Sequence, residues 1–531
     1  MADEWRAQSF GFAGDPNVHT PQFDKLAAES VNFSETVSGC PVCCPARASL
    51  MTGQYPLTHG VFVQDVPLVP KGVTLGEAFH HAGYKTGYIG KWHVYGSPDG
   101  HYGRREAFIP PDKHMGFEYW KVAECTHDYN HSFYYEGDDP TKRYWKGYDA
   151  IAQTEDACGY IDRQAKDAQP FFLFLSWGPP HFPLDSAPEQ YQAMFRNREI
   201  ELRPNVPPEA REAAMKDLRG YYAHMAALDD CLKKLMGTLE RNGLAEDTIV
   251  VFTSDHGDMM GSQGLSVKLY PWEESVRVPL LIRYTRKFGA KGRVDAAPVN
   301  TPDIMPTLLG LSQIPIPAGV EGTDFSHPAP RDRTGVPATE AYLNLPVSMG
   351  KARNYGIAEY RGLRNKRFTY VRSIEGPWLL YDNANDPYQM ENLCGKPEAA
   401  AIQVALNDRL DLWMAAMNDQ FLTSEAYLER DHLTNYFEPY EAVTDRVGPK
   451  GQWSSTLQVR QLSVDSPIGN VLKNDRAKAL LIRELPAVMK IRKPASSIRE
   501  LARTDLSISS AEMQRIDHAL SLIDTPDNED E

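Results

Sequence analysis

Several short stretches of this 531-residue chain place a nucleophilic, cationic or metal-ligating side chain where a backbone element begins or ends. Cys43-Cys44-Pro45-Ala46-Arg47 runs into Ala48-Ser49-Leu50-Met51-Thr52-Gly53 and puts a thiol at the start of a helical stretch. Ser254-Asp255-His256-Gly257-Asp258 follows the strand-like residues 248–253, and an Asp with a neutral imidazole at a strand end can hold a hard divalent cation. Asp258 there reads as a brace for the turn. Gly90-Lys91-Trp92-His93 follows the apolar run 84–89, and Gly178-Pro179-Pro180-His181 follows 170–177. Lys268 stands upstream of Trp272-Glu273-Glu274-Ser275-Val276-Arg277-Val278-Pro279. Singly, each is bland: a Cys at a helix start is often just buried, a His at a strand end is usually a satisfied polar group, and a lone Lys is usually solvated. Together they describe a metal site ringed by cations, which is what handling an anionic ester requires.

The elements that must position these residues read as an α/β domain. Short apolar runs at 84–89, 170–177, 248–253 and 278–284 alternate with helical stretches such as 217–242. Open α/β sheets gather their chemistry at the carboxyl ends of strands, where these motifs fall. Pro328, Pro330 and Pro337 mark a change of texture. Residues 355–382 alternate like hairpins, and a helix is expected over 399–417. Further on, 474–485 is amphipathic, and Ser509 with Glu512 forms a candidate capping box before Met513, Ile516, Leu520 and Ile523. The expected layout is a catalytic α/β domain over 1–335, a small α+β subdomain over 336–425 and a helical extension over 426–531. The net charge of -15 argues against nucleic acid as partner, although a metal and local Lys, Arg and His can still make a positive pocket in an acidic protein. Seven cysteines, an odd and sparse set, do not form a disulfide framework. No apolar run reaches the roughly 18 residues of a membrane span.

The Cys43 stretch resembles the sulfatase signature, in which Cys, any residue, Pro, a small residue and Arg lead into a helix and Thr-Gly. The other motifs follow in that family's order, and the resemblance covers roughly residues 1–420. It implies an alkaline-phosphatase-like mixed sheet flanked by helices, with a smaller antiparallel-sheet subdomain. It implies that Cys43 is oxidised to formylglycine by a formylglycine-generating enzyme or its equivalent. It also implies a divalent cation, Ca²⁺ ahead of Mg²⁺ or Mn²⁺, held by Asp3, Glu4, residue 43, Asp255 and His256. In that scheme Arg47, Lys91 and Lys268 complement sulfate oxygens, His93 is the base that releases sulfate, and His181 protonates the leaving alcohol with help from Lys268. Leu380-Tyr381-Asp382 with Asn385-Asp386-Pro387 matches the family's small-domain turn, and 303–309 its connecting helix.

The resemblance also implies a buried strand before Asp3. A start assigned too late is preferred over a true truncation, because losing a central strand leaves buried neighbours unpaired. No signal peptide is visible in the chain as given. A real start implies a cytoplasmic protein, and a missing leader a periplasmic or secreted one. Two rival functions stand beside sulfate-ester hydrolysis. Relatives on the same fold cleave phosphate or phosphonate esters, some with formylglycine; a catalytically inactive binding protein is the other rival. For the substrate, His127 and His131 in the aromatic insert 126–135, together with Arg105, are candidate contacts, and a sulfated carbohydrate is expected ahead of an aryl sulfate. Oligomeric state is left open.

Overall fold

The computed structural model describes residues 1–97, 105–327, 330 and 338–437, with Leu481, Ile498 and Ile516 as single positions beyond them. Thirteen strands are present among the described residues: β1 (Val31–Phe33), β2 (Lys85–Lys91), β3 (Tyr119–Ala123), β4 (Phe133–Glu136), β5 (Asp139–Tyr144), β6 (Phe171–Ser176), β7 (Val250–Thr253), β8 (Leu280–Arg283), β9 (Arg293–Asp295), β10 (Glu340–Leu345), β11 (Tyr360–Asn365), β12 (Phe368–Ser373) and β13 (Gly376–Asp382). They form three sheets, ordered β5-β4-β3-β2-β6, β7-β8-β1-β9 and β10-β11-β12-β13. In the first, β3, β2 and β6 are parallel and the β4–β5 hairpin adds an antiparallel edge. The second is mixed, with β1 antiparallel to β8 and parallel to β9. The third is antiparallel throughout. This is the expected mixed α/β architecture with a separate antiparallel sheet.

Residues 1–3 lie between β6 and β7. The Met1 amino group donates to the Leu175 carbonyl at 2.8 Å and the Trp177 N–H to the Met1 carbonyl at 3.0 Å. Ala2 bridges to Ser254 and Asp3 to Pro180, both in parallel sense. Asp3 is thus delivered to the carboxyl edge of both sheets.

The interior of β2 is buried on both faces, as a parallel strand covered by helices must be. The Asp149–Gln164 and Arg211–Arg241 helices cover one side, and the second of these contains the helix expected over 217–242. Trp5, Phe10, Phe23 and Phe252 make an aromatic cluster under the site, with Trp5 stacked on Phe10 at 4.7 Å. The third sheet buries Tyr342, Leu363, Tyr370 and Leu380 against Leu406, Leu410 and Trp413 of the Ala400–Ala416 helix.

Gly90 turns β2 into the site. Its φ is +103°, and a Cβ there would stand 2.1 Å from the Ser176 carbonyl oxygen on the paired strand. Gly90→Ala is therefore expected to cost at least about 1–3 kcal/mol, read as a lowered melting temperature. Gly87→Ala, whose Cβ would meet only side-chain atoms at 3.2 Å, is the milder control.

Residues 1–349 and 359–457 form one compact unit, and 350–358 with 458–531 a second. Described in the second are the short Gly350–Asn354 helix and the helical, buried positions Leu481, Ile498 and Ile516. The remainder of the helices expected at 474–485 and 513–523 lies outside the described residues. Among the described residues, no helix is long and apolar enough to cross a membrane. All seven cysteines are free.

Candidate active site

The Cys43–Thr52 helix carries the first motif. Pro45 sits in its first turn, where a missing N–H costs nothing, and Gly53 closes it in the left-handed conformation with φ 64°. All ten of its residues are buried. Cys43 and Arg47 are four apart and share a face. Arg47 ties the surrounding elements together: Nε donates to Asp255 Oδ2 at 3.0 Å, Nη2 to Asp3 Oδ2 at 3.0 Å, and Nη1 to the Lys91 carbonyl at 3.0 Å and Ser176 Oγ at 2.9 Å. Four of the five guanidinium donors are thereby used within the protein.

Asp3, Cys43, Asp255 and His256 present ligand atoms that all lie within 4.8 Å of one another, and all four residues are buried. Cys43 Sγ is 3.1 Å from His256 Nε2 and 4.0 Å from Asp3 Oδ1. His256 Nδ1 is 3.0 Å from the Gly257 carbonyl, which can only accept, so in the neutral, metal-ligating form the ring proton belongs there and the Nε2 lone pair faces the cluster. Two carboxylates, one imidazole nitrogen in the ligating tautomer and the residue-43 side chain fit a divalent cation.

Glu4 is not in this cluster. With φ at 68°, its carboxylate turns to the other side of the pocket, Oε1 at 3.1 Å from Lys268 Nζ and Oε2 at 3.3 Å from His181 Nε2. A left-handed non-glycine residue is costly and is held by its surroundings. Here the Glu4 N–H donates to Asp255 Oδ1 and its carbonyl accepts from Tyr221. Lys268 stands between Val267 and Leu269, both also at positive φ.

His181 Nδ1 is 3.0 Å from the Phe182 carbonyl, and its Nε2 is 2.7 Å from Lys268 Nζ. The imidazole therefore donates from Nδ1 and accepts at Nε2. Burial and the Lys268 charge hold it well below the usual histidine range. The transferable proton of this pair rests on Lys268. Lys91 Nζ binds Asp3 Oδ2 at 2.5 Å.

The charges of the cluster are balanced internally. Burial and Cys43 push the Asp3 carboxyl up, yet Lys91, His181 and Arg47 together hold it below the usual carboxylate range. Burial opposes ionisation of Cys43, and the cations Lys268, Lys91 and His256 overcome it, drawing the thiol well below its ordinary value. Burial opposes charge on His256, but Asp255 and Cys43 raise it to about 9. Burial lifts Glu4 well above the usual range in spite of Lys268.

Of the remaining expected residues, His93 is buried at φ 57° with Nε2 3.3 Å from Asp65 Oδ1. His127 stacks on His181, ring centroids 4.5 Å apart and 4° from parallel, which places it at the pocket. His131 is exposed and stacks on Tyr144 at 4.3 Å, not on a pocket residue. Arg105 is spent on Asp65, with Nε and Nη2 each 3.0 Å from a carboxylate oxygen. Sequence reasoning missed Asp65 and Ser176. Ser176 had a usable signal, since it ends β6 as Lys91 ends β2; Asp65 had none.

The Sulfatase family model matches residues 1–314, and the model for the C-terminal part of N-sulphoglucosamine sulphohydrolase matches residues 261–415. The ulvan-active sulfatase of Formosa agariphila is 44% identical over 474 residues, covering 87% of this chain and 89% of that protein. The endo-4-O-sulfatase of Bacteroides thetaiotaomicron is 29% identical over 73% of this chain and 84% of its own. Among solved structures, a Bacteroides thetaiotaomicron protein from a locus for glycosaminoglycan metabolism superposes with a TM-score of 0.70 at 27% identity, covering 82% of this chain and 98% of that one. The phosphonate monoester hydrolase of Agrobacterium radiobacter shares the fold, with a TM-score of 0.61 at 23% identity, covering 79% of this chain and 95% of that one. A family match across more than half the chain, with close identity along nearly all of a known sulfatase, settles the assignment: this chain belongs to the sulfatase family, the sulfuric ester hydrolases built on the alkaline phosphatase fold.

Proposed function

We propose that this sulfatase removes sulfate from a sulfated saccharide, using formylglycine made from Cys43 and a Ca²⁺ ion held by Asp3, residue 43, Asp255 and His256. The observation that carries the reading is the position of Cys43 Sγ, 3.1 Å from His256 Nε2 and inside the four-residue cluster with both aspartates. Held by Asp3, residue 43, Asp255 and His256, the cation would lower the pKa of a hydroxyl at residue 43 and polarise a sulfate oxygen, and formylglycine at that position would supply two such hydroxyls as a hydrated aldehyde.

The chain's own residues do the rest. Lys91, on Asp3, and Lys268, on Glu4 and His181, complement sulfate oxygens as the ester enters. Arg47 has most of its donors committed to Asp3 and Asp255, so it holds the metal carboxylates in place. Lys268 Nζ is the donor of the proton to the departing alcohol, and His181 Nε2, 2.7 Å away, accepts from the same ammonium and holds it in place. His93 takes the proton whose removal frees sulfate. Acid and base are thus separate groups, as both must be in the right state at one pH.

A saccharide is supported by the printed activities of the relatives, an ulvan-active sulfatase and an endo-4-O-sulfatase, and by the His127 ring at the pocket. Desulfation of sulfated oligosaccharides, measured beside turnover of aryl sulfate, aryl phosphate and aryl phosphonate esters, tests the reading. Faster phosphonate than sulfate turnover would sink it. Chelation is expected to remove activity, at least about 100-fold, with Ca²⁺ restoring more of it than Mg²⁺. Mass spectrometry of the Cys43 peptide should show the aldehyde in active preparations.

A further inference from the structure

Beside His93 lies a buried group with no task in the reading above. Asp65 is 2% exposed, and Arg105 grips both its carboxylate oxygens. His93 brings Nε2 to 3.3 Å from the same carboxylate. Backbone bonds fix both residues: the Ser97 N–H donates to the Asp65 carbonyl at 2.9 Å, and the His93 N–H to the Glu124 carbonyl at 2.8 Å. Asp65 has φ 59° and His93 φ 57°. Two left-handed non-glycine residues facing each other mark a geometry imposed by the surroundings. His93 Nδ1 is buried and has no hydrogen-bond partner.

Cys44, Asp65 and His93 present ligand atoms within 4.8 Å of one another, a spacing that a metal ion would also suit. Arg105 decides against that use. It occupies both Asp65 oxygens and adds a positive charge where a cation would have to sit. The same clamp is well suited to orientation, because a carboxylate held at two points cannot swing away from the ring it faces.

We infer that Asp65, clamped by Arg105, is the positioning residue for His93, keeping an N–H at Nε2 and leaving the unpartnered Nδ1 as the proton-accepting atom. The inference rests on the reading of His93 as the base. It also removes Arg105 from the set of substrate contacts, since its guanidinium serves the base instead.

The test uses the full chain labelled with ¹⁵N-histidine. The His93 Nε2–H resonance is identified by its disappearance in His93→Gln. It is expected in the hydrogen-bonded range in the parent protein and lost to exchange in Asp65→Asn. The same variant is expected to lower kcat roughly 10- to 100-fold with KM little changed, and Asp65→Glu to recover part of the loss. An unchanged Nε2–H resonance and unchanged kcat in Asp65→Asn overturn the inference. If Asp65→Asn does not fold, Arg105→Gln, at a partly exposed residue, carries the same two readouts, and unchanged values there overturn it equally. Full kcat in His93→Gln would instead overturn the reading of His93 as base, while the resonance still decides the Asp65–His93 bond.

Discussion

Cys43→Ala is expected to abolish sulfate-ester hydrolysis, a loss of at least about 10⁴-fold in kcat, with the fold intact. Cys43 is 1% exposed, and removing one sulfur at a helix start leaves a small void, worth about 1 kcal/mol. The adjacent thiol does not substitute for it. Cys44 lies one residue on, and burial raises its thiol, whereas the cations of the pocket lower that of Cys43. Cys43→Ser makes the sharper variant. A serine oxygen can be sulfated once but has no second hydroxyl to expel the group, so one equivalent of alcohol is expected and then nothing. Steady turnover by either variant, measured on a sulfated saccharide with circular dichroism as the control for folding, would remove residue 43 from the chemistry.

Arg47→Ala carries the largest expected loss of stability, about 3–5 kcal/mol. Arg47 is 2% exposed and binds two carboxylates that have no water to turn to. Removing the guanidinium leaves Asp255 with two backbone donors and the more distant His256, and Asp3 with Lys91 as its close cationic partner. Arg47→Lys keeps the charge but not the planar set of donors that reaches Asp3, Asp255, Ser176 and the Lys91 carbonyl together, so an intermediate loss is expected. Urea unfolding with and without a divalent cation measures both. The cation is expected to recover part of the Arg47→Ala loss, since it neutralises the same carboxylates. A change below about 1 kcal/mol without cation would show that the pair of ion pairs holds little.

The frame of the site was legible in the sequence where local rules act. Buried parallel strands read as apolar runs, so β2, β6 and β7 and the motifs at their ends were found. The Cys43 and Arg47 spacing put both on one helical face. What failed depends on side-chain direction and on long-range pairing. Asp3-Glu4 read as two adjacent ligands, but the positive φ at Glu4 sends its carboxylate to Lys268 and His181. His127 and His131 were equivalent in a stretch without periodicity, and only the fold separates the ring on His181 from the ring on Tyr144. That stretch was read as an insert loop, yet its second half forms β4 against β5, whose polar Asp139-Pro140-Thr141-Lys142-Arg143-Tyr144 gave no strand signal. Asp65 lies between Gln64 and Val66 with no motif around it, and its partner Arg105 is 40 residues away.

Every residue of the Cys43–Thr52 helix is buried, and that sets an order of events in the life of the chain. An enzyme that reads Cys43, Pro45 and Arg47 must hold them as an exposed, extended segment. In the folded protein these side chains face the aspartates and the ends of β2 and β6 instead. On the proposed reading of Cys43 as the formylglycine precursor, its maturation belongs to the newly made chain, before the sheets close over it. On that reading, protein that folds first is committed to remain a thiol, and a mixed preparation is a record of which process won.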